Sequence, residues 1–427
     1  MPPLTAVRLA LPADAGIAAG LWTAAARQGT LHASEEIVLC AFGEAATIEL
    51  PRGLADEAAP DRVADALSSI ALLGEDGPGG SGVVAFAALP FDATESASLL
   101  VPSMLCSWHP TSRTVWVTVV GSDDARDIDP SEVREALATR AAGAVAPGPL
   151  PPILSLAEQM SGTDYAAAVA QCVARLREGE VRKVVLARSV SGRCQHDIDT
   201  AALAAALHDV EPSCTLYAYP SGSRRFVGAS PELLVATSDG AVSAHPLAGT
   251  VALTGGAGDD AQMVWLAQSA KNRVEHAVVV EDIVARLEPL CDDVSAPQAP
   301  VVVELTAVAH LGTWVDGKLR GGGSARSAVR ALAALHPTPA VGGVPRDDAL
   351  AIISGLESTR RGPWAGPVGW IDADGTSTWT LGLRGLLVEG SSIEAWAGAG
   401  IVADSDPDEE LAETEIKLAS VLRAFPS

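Results

Sequence analysis

The chain has 427 residues, of which 48% are hydrophobic, 19% charged and 4% aromatic, and its formal net charge is −24. This composition supports a sizeable core of aliphatic side chains and excludes a disordered chain. The negative charge argues against nucleic acid and anionic membrane surfaces as partners, because both bind clustered Lys and Arg side chains. No apolar run approaches the roughly 20 residues that a membrane-spanning helix needs.

The first 150 residues carry strand and helix patterns but no chemical motif. β-Branched content predicts a strand over residues 115–120. The glycine-rich segment 77–82 lacks the Lys-Ser/Thr ending of a phosphate-binding loop, so we interpret it as an ordinary loop. The proline-rich stretch 147–152 is the clearest break in the chain and predicts a boundary near residue 150.

Helix and strand patterns follow this break. Apolar periodicity predicts a helix from Thr163 to a C-cap at Gly179. Residues 181–190 are typical of a buried strand, and residues 226–236 of a strand interrupted by a Gly-Ala-Ser-Pro-Glu run. A long helix is predicted over residues 262–290.

Two Asp-Gly sequences in the second half predict tight turns. Asp316-Gly317 is expected to form a hairpin-like turn, and Asp374-Gly375 is expected to join strands within residues 370–387. Runs of strands with irregularly placed helices favour an α+β fold over a repeating βαβ arrangement.

The six cysteines stand alone in the sequence. They form no C-x-x-C pair and no zinc-ligand spacing, which indicates packing roles and a reducing environment. We therefore expect a cytoplasmic protein. The positions are Cys40, Cys106, Cys172, Cys194, Cys214 and Cys291.

The last thirty or so residues carry the densest chemistry. Asp406 is typical of a helix N-cap, and Pro407 suits the first helical position. Glu410, Glu413 and Lys417 are then three and four residues apart, so they share one helix face. Two carboxylates and an ammonium there would suit a metal ion and an anionic substrate. A solvated face with one ion pair is the more common interpretation of such a pattern.

Lys183 and Glu232 are candidates for proton transfer. A lone lysine on a hydrophobic strand more often faces solvent at a sheet edge. A lysine that faces the interior instead becomes a competent general base, because desolvation disfavours its charged form. Glu232 follows Ser230-Pro231 in an apolar setting, where burial would let a carboxyl keep a proton to donate. A structural, paired Glu is the alternative.

Further candidates are suited to metal and anion binding. Glu275, paired with Glu413 across a cleft, would complete an oxygen-ligand site for Mg²⁺. Arg384 lies in a strand pattern and suits bidentate binding of a carboxylate, although an exposed strand charge is equally typical. Glycines near Gly249 and Gly398 would let backbone N–H groups approach an anion, whereas turns explain most such runs. His310 has no metal-ligand spacing, which favours a structural or supporting role.

Together these segments resemble the chorismate-utilising enzymes, and isochorismate synthases most closely. They occur in that family's order from about residue 155 to the C-terminus. No single segment is decisive, but the combination is specific. The matching stretches are Lys183–Arg188, Gly228–Glu232, Pro246–Thr250, Glu275-His276, His310-Leu311, His336–Ala340, Trp364–Gly369, Arg384, Gly398–Ile401 and Glu410–Lys417.

The resemblance implies a role for each proton-transfer and metal-binding candidate. Lys183 would activate the water that attacks C2 of chorismate, and Glu232 would protonate the departing C4 hydroxyl. Glu275 and Glu413 would hold Mg²⁺, with Glu410 nearby through water. The metal would bind the ring carboxylate.

The resemblance also implies how the substrate is held and how the chain is organised. The fold would be an α+β sandwich of two large, mostly antiparallel sheets with helices outside and the site in the cleft. Residues 1–150 would form the variable N-terminal part of that sandwich, and residues 151–427 the chorismate-binding catalytic region. We expect a monomer. The substrate-binding residues would be Gly249, Thr250, Ala340, Arg384, Gly398 and Lys417.

Two features favour isochorismate synthesis within this family. Residues 337–346 lack the Thr/Ser-Gly-Ala-Pro-Lys pattern of the aminating relatives, and those relatives also lack a lysine at the position of Lys183. Salicylate synthase, which goes on to eliminate pyruvate, and a non-catalytic chorismate-binding protein remain alternatives. Menaquinone and siderophore synthesis both remain open as destinations of the product.

Three positions depart from the family's pattern. Asn272 stands where an acid is common, residues 251–253 stand where basic residues are common, and Trp364 stands where tyrosine is usual. None of these departures removes a proposed catalytic group.

Overall fold

The computed structural model describes residues 4–12, 14–122, 129–256 and 258–426. Among these residues no helix is both long and apolar enough to span a membrane. The helices are α1 Ala15–Gln28, α2 Ala59–Ser68, α3 Pro130–Ala142, α4 Gly162–Glu178, α5 Thr200–Val210, α6 Asp259–Gln268, α7 Ala270–Leu287, α8 Ala325–Leu335, α9 Arg346–Leu356 and α10 Pro407–Leu422.

The strands are distributed along the whole described chain. They are β1 Thr5–Pro12, β2 Thr30–Ala33, β3 Val38–Phe42, β4 Ala46–Leu50, β5 Ala71–Gly74, β6 Val84–Ala88, β7 Ala97–Val101, β8 Met104–Trp108, β9 Thr114–Gly121, β10 Ile153–Glu158, β11 Lys183–Cys194, β12 Thr215–Ser221, β13 Arg224–Ser230, β14 Leu233–Ser238, β15 Ala241–His245, β16 Leu247–Ala252, β17 Cys291–Ser295, β18 Val301–Glu304, β19 Val308–Gly312, β20 Val315–Leu319, β21 Gly343–Val344, β22 Pro367–Asp372, β23 Ser377–Leu381, β24 Gly385–Glu389 and β25 Ser392–Ile401.

Within the described residues these strands form two large sheets and one small one. The first has the order β10-β11-β25-β24-β13-β12-β2-β3-β8-β9-β1-β5, with β21 paired to β11. The second has the order β17-β20-β15-β14-β23-β22-β6-β7-β4, and the third is β16-β19-β18. Neighbouring strands are antiparallel apart from β1 and β5. The predicted α+β class with large antiparallel sheets is therefore confirmed.

The core has two main parts, one on each face of the first large sheet. One cluster combines that sheet with the second, through residues such as Phe226 and Trp379. The other packs the opposite face against helices, through Leu21 of α1 and Leu203 of α5. Consecutive side chains of β3 point to opposite faces of the sheet and enter different clusters: Leu39 belongs to the first and Cys40 to the second. The large sheets thus form a sandwich with helices outside. All six cysteines are unpaired and buried.

Several locally encoded features follow the sequence. The strand over residues 115–120 lies within β9. Gly179 caps α4 with a φ of 83°, which is the left-handed conformation that glycine adopts without strain. Asp406 accepts N–H bonds at the start of α10, and β22 and β23 form the expected hairpin.

Two predicted elements are wrong. The helix expected over 262–290 is two helices, because Ser269 has an extended backbone and its side chain caps α7 by accepting from the Asn272 N–H. The turn expected at Asp316-Gly317 lies inside β20, which pairs with β15 and β17. A Cβ at Gly317 would lie 3.0 Å from the Asp293 carbonyl oxygen, so this glycine permits close strand packing.

Candidate functional site

A cleft of about 720 Å³, including its open mouth, brings together residues from distant parts of the chain. Strands β11, β16 and β25 and helices α7 and α10 supply most of its walls. Every site residue predicted from the sequence lines it except Glu410. Those lining residues are Lys183, Glu232, Gly249, Thr250, Glu275, Ala340, Arg384, Gly398, Glu413 and Lys417.

Lys183 faces the interior. It is the first residue of β11, its side chain is 1% exposed, and its Nζ lies 2.9 Å from Glu275 Oε1. A buried lysine needs such a polar partner, because desolvation alone is costly. Gly400 on the adjacent strand makes room for the pair. A Cβ there would lie 3.0 Å from Lys183 Cε and closer still to Glu275 Oε1.

Glu232 is a buried carboxyl with a raised pKa. It lies in the link between β13 and β14, which belong to different large sheets. Burial raises the pKa of Glu232 to about 8, against the opposing effects of the Leu247 N–H and the charges of Lys183 and Lys417. The Leu247 N–H donates to Glu232 Oε1 at 3.4 Å. The carboxyl therefore carries a proton at neutral pH and can donate it.

Two of the three residues predicted to share one face of α10, Glu413 and Lys417, line the cleft. Lys417 Nζ donates to Glu413 Oε1 at 2.6 Å and to the Gly398 carbonyl oxygen at 2.9 Å. The Thr250 hydroxyl donates to the same Glu413 oxygen at 3.3 Å. Glu413 and Lys417 thus line the cleft and do not form a solvated helix face.

Glu410, the third residue of this face, does not line the cleft. It is buried, and Lys271 Nζ on α7 lies 3.3 Å from its Oε1. Burial, followed by the charge of Glu413, raises the pKa of Glu410 to about 7, and Glu275 acts in the same direction. Glu413 and Glu275 are therefore close enough to Glu410 to disfavour its ionised form.

The described residues contain no group of three or more His, Cys, Asp or Glu side chains arranged to hold a metal ion. Glu275 and Glu413 nevertheless both line the cleft. Mg²⁺ is commonly held by one or two carboxylates together with water and substrate oxygens. Two carboxylates in one cleft are therefore donors of the type that Mg²⁺ takes, and a cation beside them would relieve the repulsion that Glu413 and Glu275 exert on Glu410.

Arg384 offers a buried positive charge. Within the described part of the chain its guanidinium makes no ion pair, and Nη1 donates to Ser420 Oγ at 2.9 Å. Burial lowers the pKa of Arg384, which still leaves the group charged near neutrality. Its φ of 49° is left-handed, a strained conformation for a residue with a side chain. A buried guanidinium held in this way suits an anionic ligand.

His310 is a cleft residue that sequence reasoning assigned only a supporting role. Its Nδ1 lies 3.2 Å from the Gly249 carbonyl oxygen, which only accepts, so Nδ1 carries the proton. Burial lowers the pKa of His310 well below its ordinary value, so the ring is neutral. Nε2 is then free to accept from Arg384 Nη2 at 3.5 Å. His310 thereby links the Gly249 strand to Arg384.

Two aromatic walls complete the cleft. Trp364 begins one of the stretches that resemble the family, where it replaces the usual tyrosine, and Trp396 belongs to none of those stretches; both line the cleft. The alternation of side chains along β25 could have identified Trp396 as a cleft residue, because Trp396, Gly398 and Gly400 point to the same side of that strand. A Cβ on Gly398 would lie 3.1 Å from Trp364 Cη2, so this glycine makes space for the ring.

Comparisons with known proteins identify the family of this chain. The family model described as chorismate binding enzyme matches residues 26–426. A Mycobacterium tuberculosis protein, provisionally named isochorismate synthase MenF, is 34% identical over 415 residues, which cover 94% of this chain and 98% of the relative.

Solved structures show the same fold. The Bacillus anthracis protein DhbC, provisionally identified as a 2,3-dihydroxybenzoate-specific isochorismate synthase, has a TM-score of 0.75 at 28% identity, covering 93% of this chain and 96% of that one. Escherichia coli MenF, the menaquinone-specific isochorismate synthase, has a TM-score of 0.82 at 24% identity, covering 100% and 95%, and supports the fold alone. The resemblance found in the sequence is confirmed, and the chain belongs to the family of chorismate-binding enzymes.

Proposed function

We propose that this protein converts chorismate to isochorismate, by adding water at C2 and releasing the C4 hydroxyl. The observation that carries the proposal is the presence, in one cleft, of a buried lysine and a carboxyl that keeps its proton at neutral pH. An addition coupled to loss of a leaving group needs such a base and such an acid. The isochorismate synthases among the relatives support the same reaction.

Lys183 acts as the base in this proposal. Its amine takes a proton from the water as the oxygen bonds to C2, and the ring double bonds shift toward C4. Glu232 gives its proton to the C4 oxygen, which leaves as water. One water enters and one leaves, so the reaction is an isomerisation. It leaves Lys183 protonated and Glu232 ionised, which is the state that the reverse reaction needs, and proton exchange with solvent restores both groups for the next forward turnover.

Chorismate carries two carboxylates, and the cleft offers cations for both. We assign the enolpyruvyl carboxylate to Arg384 and Lys417, with backbone N–H groups near Gly249 and Gly398 assisting. Thr250 and Ala340 contribute to the adjoining wall. The buried Arg384 charge, which has no ion-pair partner among the described residues, supports this assignment, because it gives a locally positive pocket in an acidic protein.

The proposal includes Mg²⁺, held by Glu275 and Glu413 with Glu410 supporting through water. When bound, the ion would neutralise the ring carboxylate and so favour addition at the neighbouring carbon. The protein's own residues hold the carboxylates in place: Lys183 pairs with Glu275, Thr250 and Lys417 bond Glu413, and Lys271 pairs with Glu410.

Product analysis tests the reaction. We expect purified protein with chorismate and MgCl₂ to give isochorismate on HPLC, and the reverse reaction to give chorismate from isochorismate. Salicylate and pyruvate in equal amounts would establish the salicylate synthase alternative. If chorismate and isochorismate both remain unchanged, at protein concentrations that bind chorismate, the protein is a non-catalytic binding protein.

Glu413→Gln is expected to raise the Mg²⁺ concentration for half-maximal rate by about 10- to 100-fold, because it removes the charge of one of two metal carboxylates. The measurement is a Mg²⁺ titration of the initial rate. Glu415→Gln is the matched control, since Glu415 is an exposed residue of the same helix that does not line the cleft. If Glu413→Gln and the unmodified protein give the same Mg²⁺ titration curve, Glu413 is not a metal ligand.

A further inference from the structure

A buried ion pair lies beside the cleft and has no part in the reaction described above. Arg361 and Glu357 are four residues apart in the link between α9 and β22, and their side chains are 2% and 8% exposed. Arg361 Nε donates to Glu357 Oε2 at 2.9 Å, and Nη2 donates to Oε1. Burying two charges is costly even when they are paired, so the pair alone does not explain their position.

The remaining hydrogen bonds of this pair bind the backbone of the cleft wall. Arg361 Nη1 donates to the Val341 carbonyl oxygen at 2.7 Å, and Nη2 donates to that of Val185 at 2.8 Å. Glu357 Oε1 accepts from the Ala187 N–H at 2.8 Å. Val185 and Val341 both line the cleft. The pair therefore joins the two backbone segments that carry Lys183 and Ala340.

The faces of the guanidinium make a third connection. Arg361 Cζ lies 4.1 Å from the centre of the Phe91 ring and 5.3 Å from that of Trp364. Stacking of this kind fixes the plane of an aromatic ring as well as attracting it. Trp364 lines the cleft, and its ring packs over Gly398. One side chain thus contacts three separate walls of the same cleft.

We propose that Arg361, held by Glu357, is a positioning residue that sets the placement of Lys183 and Trp364 for the reaction; this inference rests on the proposed function. Val185 is two residues beyond Lys183 on the same strand, so a shift of its carbonyl moves the base. Misplacement of a reacting group by about 1 Å can lower a rate about 10²-fold. The stereochemistry of arginine matters here, because its planar fork serves two carbonyls, a carboxylate and two ring faces at once.

Arg361→Lys tests the inference because it keeps the buried charge next to Glu357 but loses the fork and the planar face. We expect kcat to fall about 10- to 100-fold while KM for chorismate changes less than about threefold. Arg286→Lys is the matched control, since Arg286 also pairs with a carboxylate four residues away, Asp282, and does not line the cleft. That variant should keep both constants.

Glu357→Gln provides a milder change that keeps an acceptor for the Ala187 N–H, and a smaller fall in kcat is expected. If Arg361→Lys does not fold, the kcat of Glu357→Gln tests the positioning role instead. Folded variants that retain the unmodified kcat overturn the positioning role and leave only a structural one. A variant in which only KM changes, with kcat unaltered, also overturns the positioning role. An unmodified protein that makes no isochorismate overturns the proposed function and this inference with it, so the two failures are distinguishable.

Discussion

Replacing Lys183 with alanine is expected to lower kcat by about 10²- to 10⁴-fold, the usual contribution of a positioned general base. The amine is held 2.9 Å from Glu275 and faces the cleft, so its loss removes the proposed general base. The affinity for chorismate should change much less, because Arg384 and Lys417 remain. Initial rates by HPLC, with chorismate binding by calorimetry, measure the two effects separately.

The Lys183→Ala protein should remain folded. Glu275 loses its partner, yet it lies at the cleft, where water and a metal ion can reach it. Circular dichroism and thermal melting check this point. Lys318→Ala is the control, since Lys318 is an exposed lysine on β20 and should leave kcat unchanged. A Lys183→Ala rate close to that of the unmodified protein would falsify the assignment of the base.

The α10 face shows what local spacing can predict. Glu413 and Lys417 are one helical turn apart, so the sequence alone places them side by side, and an Asp406 cap fixes where the helix begins. Whether that face is exposed to solvent or lines a cleft depends on the strands that pack beside it. Its neighbours Thr250 and Gly398 come from β16 and β25, which no local pattern of α10 reveals.

The orientation of Lys183 was not predictable from β11. Both faces of this strand are covered from Lys183 to Val190, so burial does not alternate, and alternation is the signal that assigns a side chain to one face. The partner Glu275 lies on α7, far along the chain. Resemblance to a family, rather than periodicity, identified the lysine.

Long-range pairing also explains one of the two errors in the fold. Asp316-Gly317 has the composition of a turn, but pairing with β15 and β17 keeps it extended. The Arg361–Glu357 pair was missed for a related reason. In the sequence it is a charged link after a helix, and its burial follows from Phe91, Val185 and Val341, which distant segments supply.

Glu232→Gln is expected to lower kcat by about 10²- to 10⁴-fold, because an amide does not replace the general acid that protonates the C4 oxygen. In the unmodified protein, kcat/KM should fall as pH rises through about 8, since the carboxyl of pKa about 8 loses the proton it must donate. The variant should lose this alkaline limb. Glu394→Gln should retain it, because Glu394 also has a pKa raised by burial but lies outside the cleft.

Glu232 should also make stability depend on pH, which provides a test independent of turnover. The folded pKa of Glu232, about 8, lies above its ordinary value, so the folded state binds a proton that the unfolded chain releases. The contribution of Glu232 to the free energy of unfolding is therefore largest below about pH 4.5 and falls until about pH 8. Other ionisable groups are common to both proteins and cancel in a comparison.

Glu232→Gln lacks this titration, so its melting temperature relative to the unmodified protein should rise between about pH 5 and pH 9. Thermal melts across that range measure the difference. A constant difference would mean that Glu232 titrates in its ordinary range and is ionised at neutral pH. A carboxylate that has already lost its proton does not protonate a leaving hydroxyl, so that result would remove Glu232 as the acid even if the variant were inactive. A rising difference together with a lost alkaline limb would identify the same carboxyl in both experiments.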